Sequence, residues 1–83
     1  MIYSAQIRAA RGLLDWSRDD LVEASGLSRS TLQRMENGQG IAPGHAGNVW
    51  QVQQVLEAAG IVFLPADDSG GPGVRFRSAP DGR

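Results

Sequence analysis

The chain has 83 residues, no Cys, one His and a net charge of −1 at neutral pH. One domain is the natural count at that length, disulfides and cysteine-based metal sites are excluded, and His45 cannot build a metal site alone. A charge so near zero also argues against a non-specific nucleic-acid coat. No apolar run approaches the roughly 18 residues of a membrane span. The stretch MIYSAQIRAARG lacks the apolar core of a secretion signal, so a cytoplasmic protein without membrane attachment is expected. A domain this short buries only about 60% of its unfolded surface, a reason to expect a second copy of itself. All eight basic residues are Arg: Arg8, Arg11, Arg18, Arg29 and Arg34 in the first half, Arg75 and Arg77 near the end, and Arg83 last. Arg suits bidentate contacts with phosphate or guanine, although genomic base composition accounts for such a set as readily.

Residues 4–14, SAQIRAARGLL, are predicted to form a first helix. Ser4 is placed to cap it, Ile7, Ala10, Leu13 and Leu14 fall on one face, and Gly12 weakens it locally. Residues 17–25, SRDDLVEAS, predict a second helix. Ser17 is its N-cap, and Asp20 stands at the capping-box position. Asp19 and Asp20 suit the positive end of the helix dipole. Trp16, just outside the cap, staples onto Leu21, and Gly26 stops the helix. The device recurs at Ser28, with Leu27 outside the cap and Leu32 at the fourth helical position. Two stapled caps separated by a Gly turn fix two helices at a definite angle, which is the mark of a helix-turn-helix.

Residues 38–47, GQGIAPGHAG, hold four Gly and a Pro and predict a loop without regular structure, with Ile41 dipping toward the core. A fourth helix is predicted over 48–59, with Val49, Val52, Leu56 and Ala59 on one face, Trp50 off that stripe and Gly60 closing it. IVFL (61–64) is a β-type run stopped by Pro65, ADDSGGPG is a turn region, and VRFR (74–77) alternates as a half-exposed strand does. Residues 61–77 therefore predict a hairpin with a long tip, and 78–83 a disordered tail.

Both faces of IVFL are apolar, Ile61 and Phe63 on one, Val62 and Leu64 on the other. One face can pack on the helices, through Phe63 and Phe76. The other needs a cover that so short a chain can hardly supply, and a lone two-stranded hairpin is marginal in water. A two-fold dimer is expected, with Trp50, Ile61, Val62, Phe63, Leu64, Val74 and Phe76 as its surface. The alternative is an interface on the fourth helix.

On a helical wheel of residues 28–37, Leu32 and Met35 point inward. Ser30, Gln33, Arg34 and Asn37 cluster opposite, with Arg29 flanking at the N-terminal end. A helix in the major groove needs this layout of short polar and forked side chains with apolar anchors behind. Arg can take guanine O6 and N7, Gln can take adenine N6 and N7, and Ser or Thr can reach a base or a phosphate. A single such helix is more often a solvated face; the Gly turn and the stapled pair in front of this one argue for DNA. Ser30, Gln33 and Arg34 are expected to face bases. Arg18, Arg29 and Asn37 are expected to hold the backbone or groove edge, with Thr31 at a flanking phosphate and Ser28 as cap and contact.

The segment WSRDDLVEASGLSRSTLQRMENG resembles the helix-turn-helix of the Cro/C1-type (XRE) family of bacterial and phage regulators. The resemblance covers roughly residues 4–60. It rests on Gly26 at the turn, Leu32 and Met35 at the packing positions and Glu36-Asn37-Gly38 at the end. The chain departs from the pattern at Arg18, where the family often has Gln, at Val22, where a small residue is usual, and at Ser25, where an apolar one is usual. The loop after Gly38 is longer than typical. The resemblance implies a structural ion pair between Arg11 and Glu36 that braces the fold. It also implies that Asn37 offers its N–H or side chain to a phosphate. With the strand pattern, the expected fold is mostly α: a four-to-five-helix, lambda-repressor-like DNA-binding domain over 1–60, followed by a C-terminal β-hairpin over 61–77.

Other residues carry less. His45 reads as a solvated loop histidine, and Asp67 and Asp68 as turn residues at a hairpin tip. GGPG has no Lys and no following helix to make a phosphate loop, and the serines have no His partner in any motif. No enzyme, cofactor or metal is expected. The expected function is a sequence-specific DNA-binding transcriptional regulator. It would be a dimeric repressor recognising a palindromic operator in double-stranded DNA through its third helix. The rival is a protein-interaction module, an antitoxin or antiactivator, whose hairpin binds a protein partner.

Overall fold

A computed structural model describes residues 1–79. Of the tail expected over 78–83, residues 80–83 lie outside the described residues. Four helices, α1 (Ser4–Leu14), α2 (Arg18–Ser25), α3 (Arg29–Glu36) and α4 (Ala46–Ala58), precede two strands, β1 (Ile61–Leu64) and β2 (Gly73–Phe76). The strands pair antiparallel, with Ile61 opposite Phe76 and Leu64 opposite Gly73. α1 packs on α3 and β2, and α4 on α2 and β1. Their common core is Ile2, Ile7, Ala10, Leu21, Leu32, Met35, Ala42, Val52, Leu56 and Ile61.

The caps of α2 and α3 follow from the sequence. Ser17 Oγ accepts the Asp20 N–H at 3.0 Å while Asp20 Oδ2 accepts the Ser17 N–H at 2.9 Å, so two orphan donors are satisfied reciprocally. Ser28 Oγ accepts the Thr31 N–H at 3.2 Å. Gly26 closes α2 in the left-handed region at φ 73°, a conformation that costs a glycine nothing. Both staple residues, Trp16 and Leu27, lie half-buried against the core.

Helix α1 has the expected bounds but differs in the roles of Ser4 and Leu13. Ser4 does not cap it; Tyr3 holds that position, and Gln6 Oε1 accepts the Tyr3 N–H at 2.8 Å. Ser4 is instead buried, and its hydroxyl donates to the Met35 carbonyl at 2.6 Å. The last carbonyls of α3 have no partner within the helix, and α1 supplies them. One turn after Ser4, Arg8 Nη1 donates to the carbonyls of Glu36 and, at 3.1 Å, Gly38. Leu13 is exposed, because Ile7, Ala10 and Leu14 define the core-facing stripe and Leu13 falls beside it.

The segment after α3 is more regular than its glycines suggest. Tyr3 and Ile41 form an isolated antiparallel bridge. The Ala42 N–H donates to Ile2 O at 2.9 Å and the Ser4 N–H to Gly40 O at 3.0 Å. This pairing turns Ala42 inward and leaves Ile41 50% exposed, reversing the expectation that Ile41 would enter the core. α4 then begins at Ala46 rather than 48 and absorbs Gly47, with His45 at its N-cap. Val52 and Leu56 are buried on its inner face, and Trp50 is 62% exposed off that stripe.

Gly38 is where small size is required. A Cβ there would lie 2.9 Å from Ser4 Oγ and 3.5 Å from Pro43 Cδ. Ser4 has no room to yield without giving up its bond to Met35. Gly38→Ala is therefore expected to destabilise the domain by about 1–3 kcal/mol. Urea denaturation checks this, and an unchanged midpoint would contradict it.

The hairpin is part of this core. Ile61 is 1% exposed, and Phe63, Val74 and Phe76 pack against the buried cluster. Gln6 Nε2 donates to Leu64 O at 3.1 Å and to Gly73 O at 2.9 Å, tying both strands to α1. Ile61 is thereby corrected: it fills its own chain's core and offers no side-chain surface to a second copy. At the tip, Asp67 accepts the Ser69 hydroxyl at 2.6 Å and the Ser69 N–H at 2.8 Å. These bonds hold its carboxyl below the ordinary range.

Candidate nucleic-acid interface

The turn that joins α2 to α3 sets the site. Ser25 is buried, its Oγ accepts the Leu27 N–H at 3.2 Å, and Gln51 Nε2 of α4 donates to its carbonyl. A polar residue thus fits where an apolar one would also pack, because its hydroxyl satisfies the turn. Leu32 and Met35 anchor α3 in the core, leaving Ser30, Gln33, Arg34 and Asn37 exposed on one face. Thr31 is half-buried at the flank. Ser28 spends its hydroxyl on the cap and on Thr31 Oγ1, 2.9 Å away, with Ser30 Oγ at 3.3 Å.

Two of the expected phosphate contacts have partners within the protein. Arg29 forms an ion pair with Asp19 of α2, both side chains more than half exposed. Such a surface pair is worth about 0–1 kcal/mol, so it orients Arg29 without locking it. Arg18 Nη2 lies 3.5 Å from Glu36 Oε1.

Arg11 and Glu36 meet at the base of α3. The Glu36 side chain is fully buried, and Arg11 forks onto it, Nε to Oε2 at 2.8 Å and Nη2 to Oε1 at 2.7 Å. Hydrogen bonding to Glu36 raises the guanidinium's already high pKa. Arg11 also donates from Nη1 to Trp16 O at 3.0 Å, so one side chain fixes the end of α3 against the entry to α2.

Arg8, given no separate role in the sequence reading, braces the end of α3. It holds the C-terminal carbonyls of α3, and its spacing of three from Arg11 on one helix was the available cue. The start of α4 lies beside the exposed face of α3. Arg34, Asn37, His45 and Asn48 line one groove beside it, where the first N–H groups of a helix carry partial positive charge. His45, read as a loop residue, stands at that helix start.

An exposed polar face on a short helix, set by a glycine turn against a second capped helix, defines a helix-turn-helix of the DNA-binding kind. Residues 7–45 match the helix-turn-helix family model, and this segment is a Cro/C1-type (XRE) helix-turn-helix domain, a DNA-binding and non-enzymatic family. No curated protein and no solved structure shows a significant match to the chain. Among the described residues no helix is long and apolar enough to cross a membrane.

Proposed function

We propose that the protein is a sequence-specific transcriptional regulator, a dimeric repressor that reads a palindromic operator with α3. The observation that carries this reading is the exposed cluster Ser30, Gln33, Arg34 and Asn37 on a helix whose opposite face is fully anchored. Ser30, Gln33 and Arg34 face bases. Arg18, Ser28, Arg29, Thr31 and Asn37 hold the backbone and groove edge.

A two-fold partner is favoured by an apolar face that continues from α4 to the hairpin. Trp50 lines one groove with Met1, Ile41 and Gln53, while Phe63 and Leu64 line an adjoining groove that shares Met1, Ile41 and Gln53. No side chain lining either groove is charged, and charge depletion with aromatic and Met enrichment marks the centre of interfaces. Of the hairpin residues expected at the interface, Phe63 and Leu64 belong to this face. Phe76 lies elsewhere, beside Leu13 and Leu14. A dimer through this face would set two copies of α3 about 34 Å apart, one DNA turn.

Selection of duplexes from a random pool tests the whole reading. A palindromic consensus is expected. A best site bound no better than random DNA at moderate salt would end the regulator proposal, and a single half-site would end the dimer. On the selected site, Gln33→Ala and Arg34→Ala should each cost roughly 1–3 kcal/mol and relax preference at particular base positions. Equal losses on every sequence would mean that this face does not read bases.

A further inference from the structure

The ionic cluster under α3 is an asymmetric triad. Arg11 occupies both oxygens of Glu36 at 2.7 and 2.8 Å, and its remaining nitrogen bonds to Trp16 O. Arg18 reaches the same carboxylate only at 3.5 Å, through Nη2 alone, beyond the usual range of a hydrogen bond. Its Nε is buried without an acceptor, while the side chain as a whole stays 28% exposed at the first position of α2. One carboxylate between two guanidinium groups leaves a net positive charge, and it resides on the arginine that is loosely held.

We propose that Arg11 governs how well Arg18 grips DNA. By saturating Glu36, it keeps Arg18 from closing on the carboxylate and leaves the Arg18 fork available to a backbone phosphate. The inference rests on the reading of Arg18 as a phosphate contact. Glu36 is a fully buried carboxylate, and such a group needs close, charge-assisted donors at each oxygen. An oxygen vacated by Arg11 faces Arg18 as its nearest remaining cation. The guanidinium would then tighten onto it and be lost to the DNA. Arg11 is a positioning residue in this scheme; it touches no phosphate itself. The arrangement depends on an arginine at position 18, since a shorter neutral side chain could not be captured by a charge.

Lysine at position 11 keeps the charge but not the fork. The test is the slope of log affinity against log salt on a mixed-sequence duplex, which changes by about 0.9 for each phosphate contact. Arg11→Lys should reduce the slope by about one contact per bound protomer, as Arg18→Ala should. The double variant Arg11→Lys/Arg18→Ala should show no further reduction. Arg11→Lys/Glu36→Gln should recover the wild-type slope, because no buried charge remains to draw Arg18 in. If Arg11→Lys is unfolded in buffer, all the titrations are run with trimethylamine N-oxide, which favours the folded state without adding salt. An unchanged slope in Arg11→Lys overturns the inference, as does a reduction that persists with Glu36→Gln. Should Arg18→Ala itself leave the slope unchanged, the phosphate reading of Arg18 has failed first and this inference falls with it.

Discussion

Arg11→Ala is expected to lower the unfolding free energy by roughly 3–5 kcal/mol, the cost of breaking a buried ion pair and stranding its charge. The stranded group is Glu36, whose side chain has no solvent exposure. Arg18, at 3.5 Å from one oxygen, is the only other cation paired to it among the described residues, and closing onto that oxygen would replace neither the two-pronged bond nor the bond to Trp16. A small domain has about 5–15 kcal/mol in total, and each kcal/mol moves the melting midpoint of a chain this size by about 4–8 °C. The midpoint should therefore fall by more than about 10 °C. Base preference in the protein that remains folded should not change, because Arg11 lies behind α3 and not on its exposed face. Glu36→Gln should be milder than Arg11→Ala: it removes the buried charge, and the two arginines left behind are 19% and 28% exposed and reach water. Thermal melting of both variants checks the order. An unaltered midpoint in Arg11→Ala, or a larger loss in Glu36→Gln, would contradict the bracing role.

Deletion of residues 61–83 is expected to abolish cooperative folding. It removes Ile61 from the core, and the change Ile61→Ala alone should cost about 2–5 kcal/mol. It also strips away the cover that Phe63, Val74 and Phe76 give the buried cluster. Gln6, a buried residue, loses both acceptors of its side-chain amide at once, and an unsatisfied buried donor costs about 1–3 kcal/mol. Together these losses match or exceed the whole stability of such a domain. Far-UV circular dichroism with a thermal ramp is the measurement; a sharp transition in the shortened chain would show that the hairpin is dispensable. It follows that truncation cannot decide how the protein dimerises. Substitution at the exposed Trp50 can.

The local grammar of the chain is legible in its sequence. Ser17 with Asp20, Ser28, the Gly26 stop and the two staples are all short-range, so they announced α2, α3 and the turn between them. The alternation in VRFR announced the hairpin for the same reason. What could not be read depends on partners far away in sequence. Ser4 looks like a cap because serines usually are, yet the open carbonyl of Met35 claims its hydroxyl. Ile41 looks like core, but pairing with Tyr3 turns its smaller neighbour Ala42 inward. Gly47 looks like a breaker, and α4 still runs through it. Within the candidate site, the exposed face of α3 follows from periodicity. The pairing of Arg29 with Asp19, and of Arg18 with Glu36, joins different helices and leaves no pattern along the chain.

The bonds from Gln6 to Leu64 and Gly73 have a consequence for how the protein is made. They join positions 58 and 67 residues apart, so the first helix waits for the last strand. Chains emerge from synthesis N-terminal end first, and the helix-turn-helix is complete in sequence well before Ile61 or Phe76 exists to fill and cover its core. A nascent chain therefore exposes an unfinished core until β2 has been translated. Commitment to the DNA-reading shape comes late, after the contacts of highest sequence separation close.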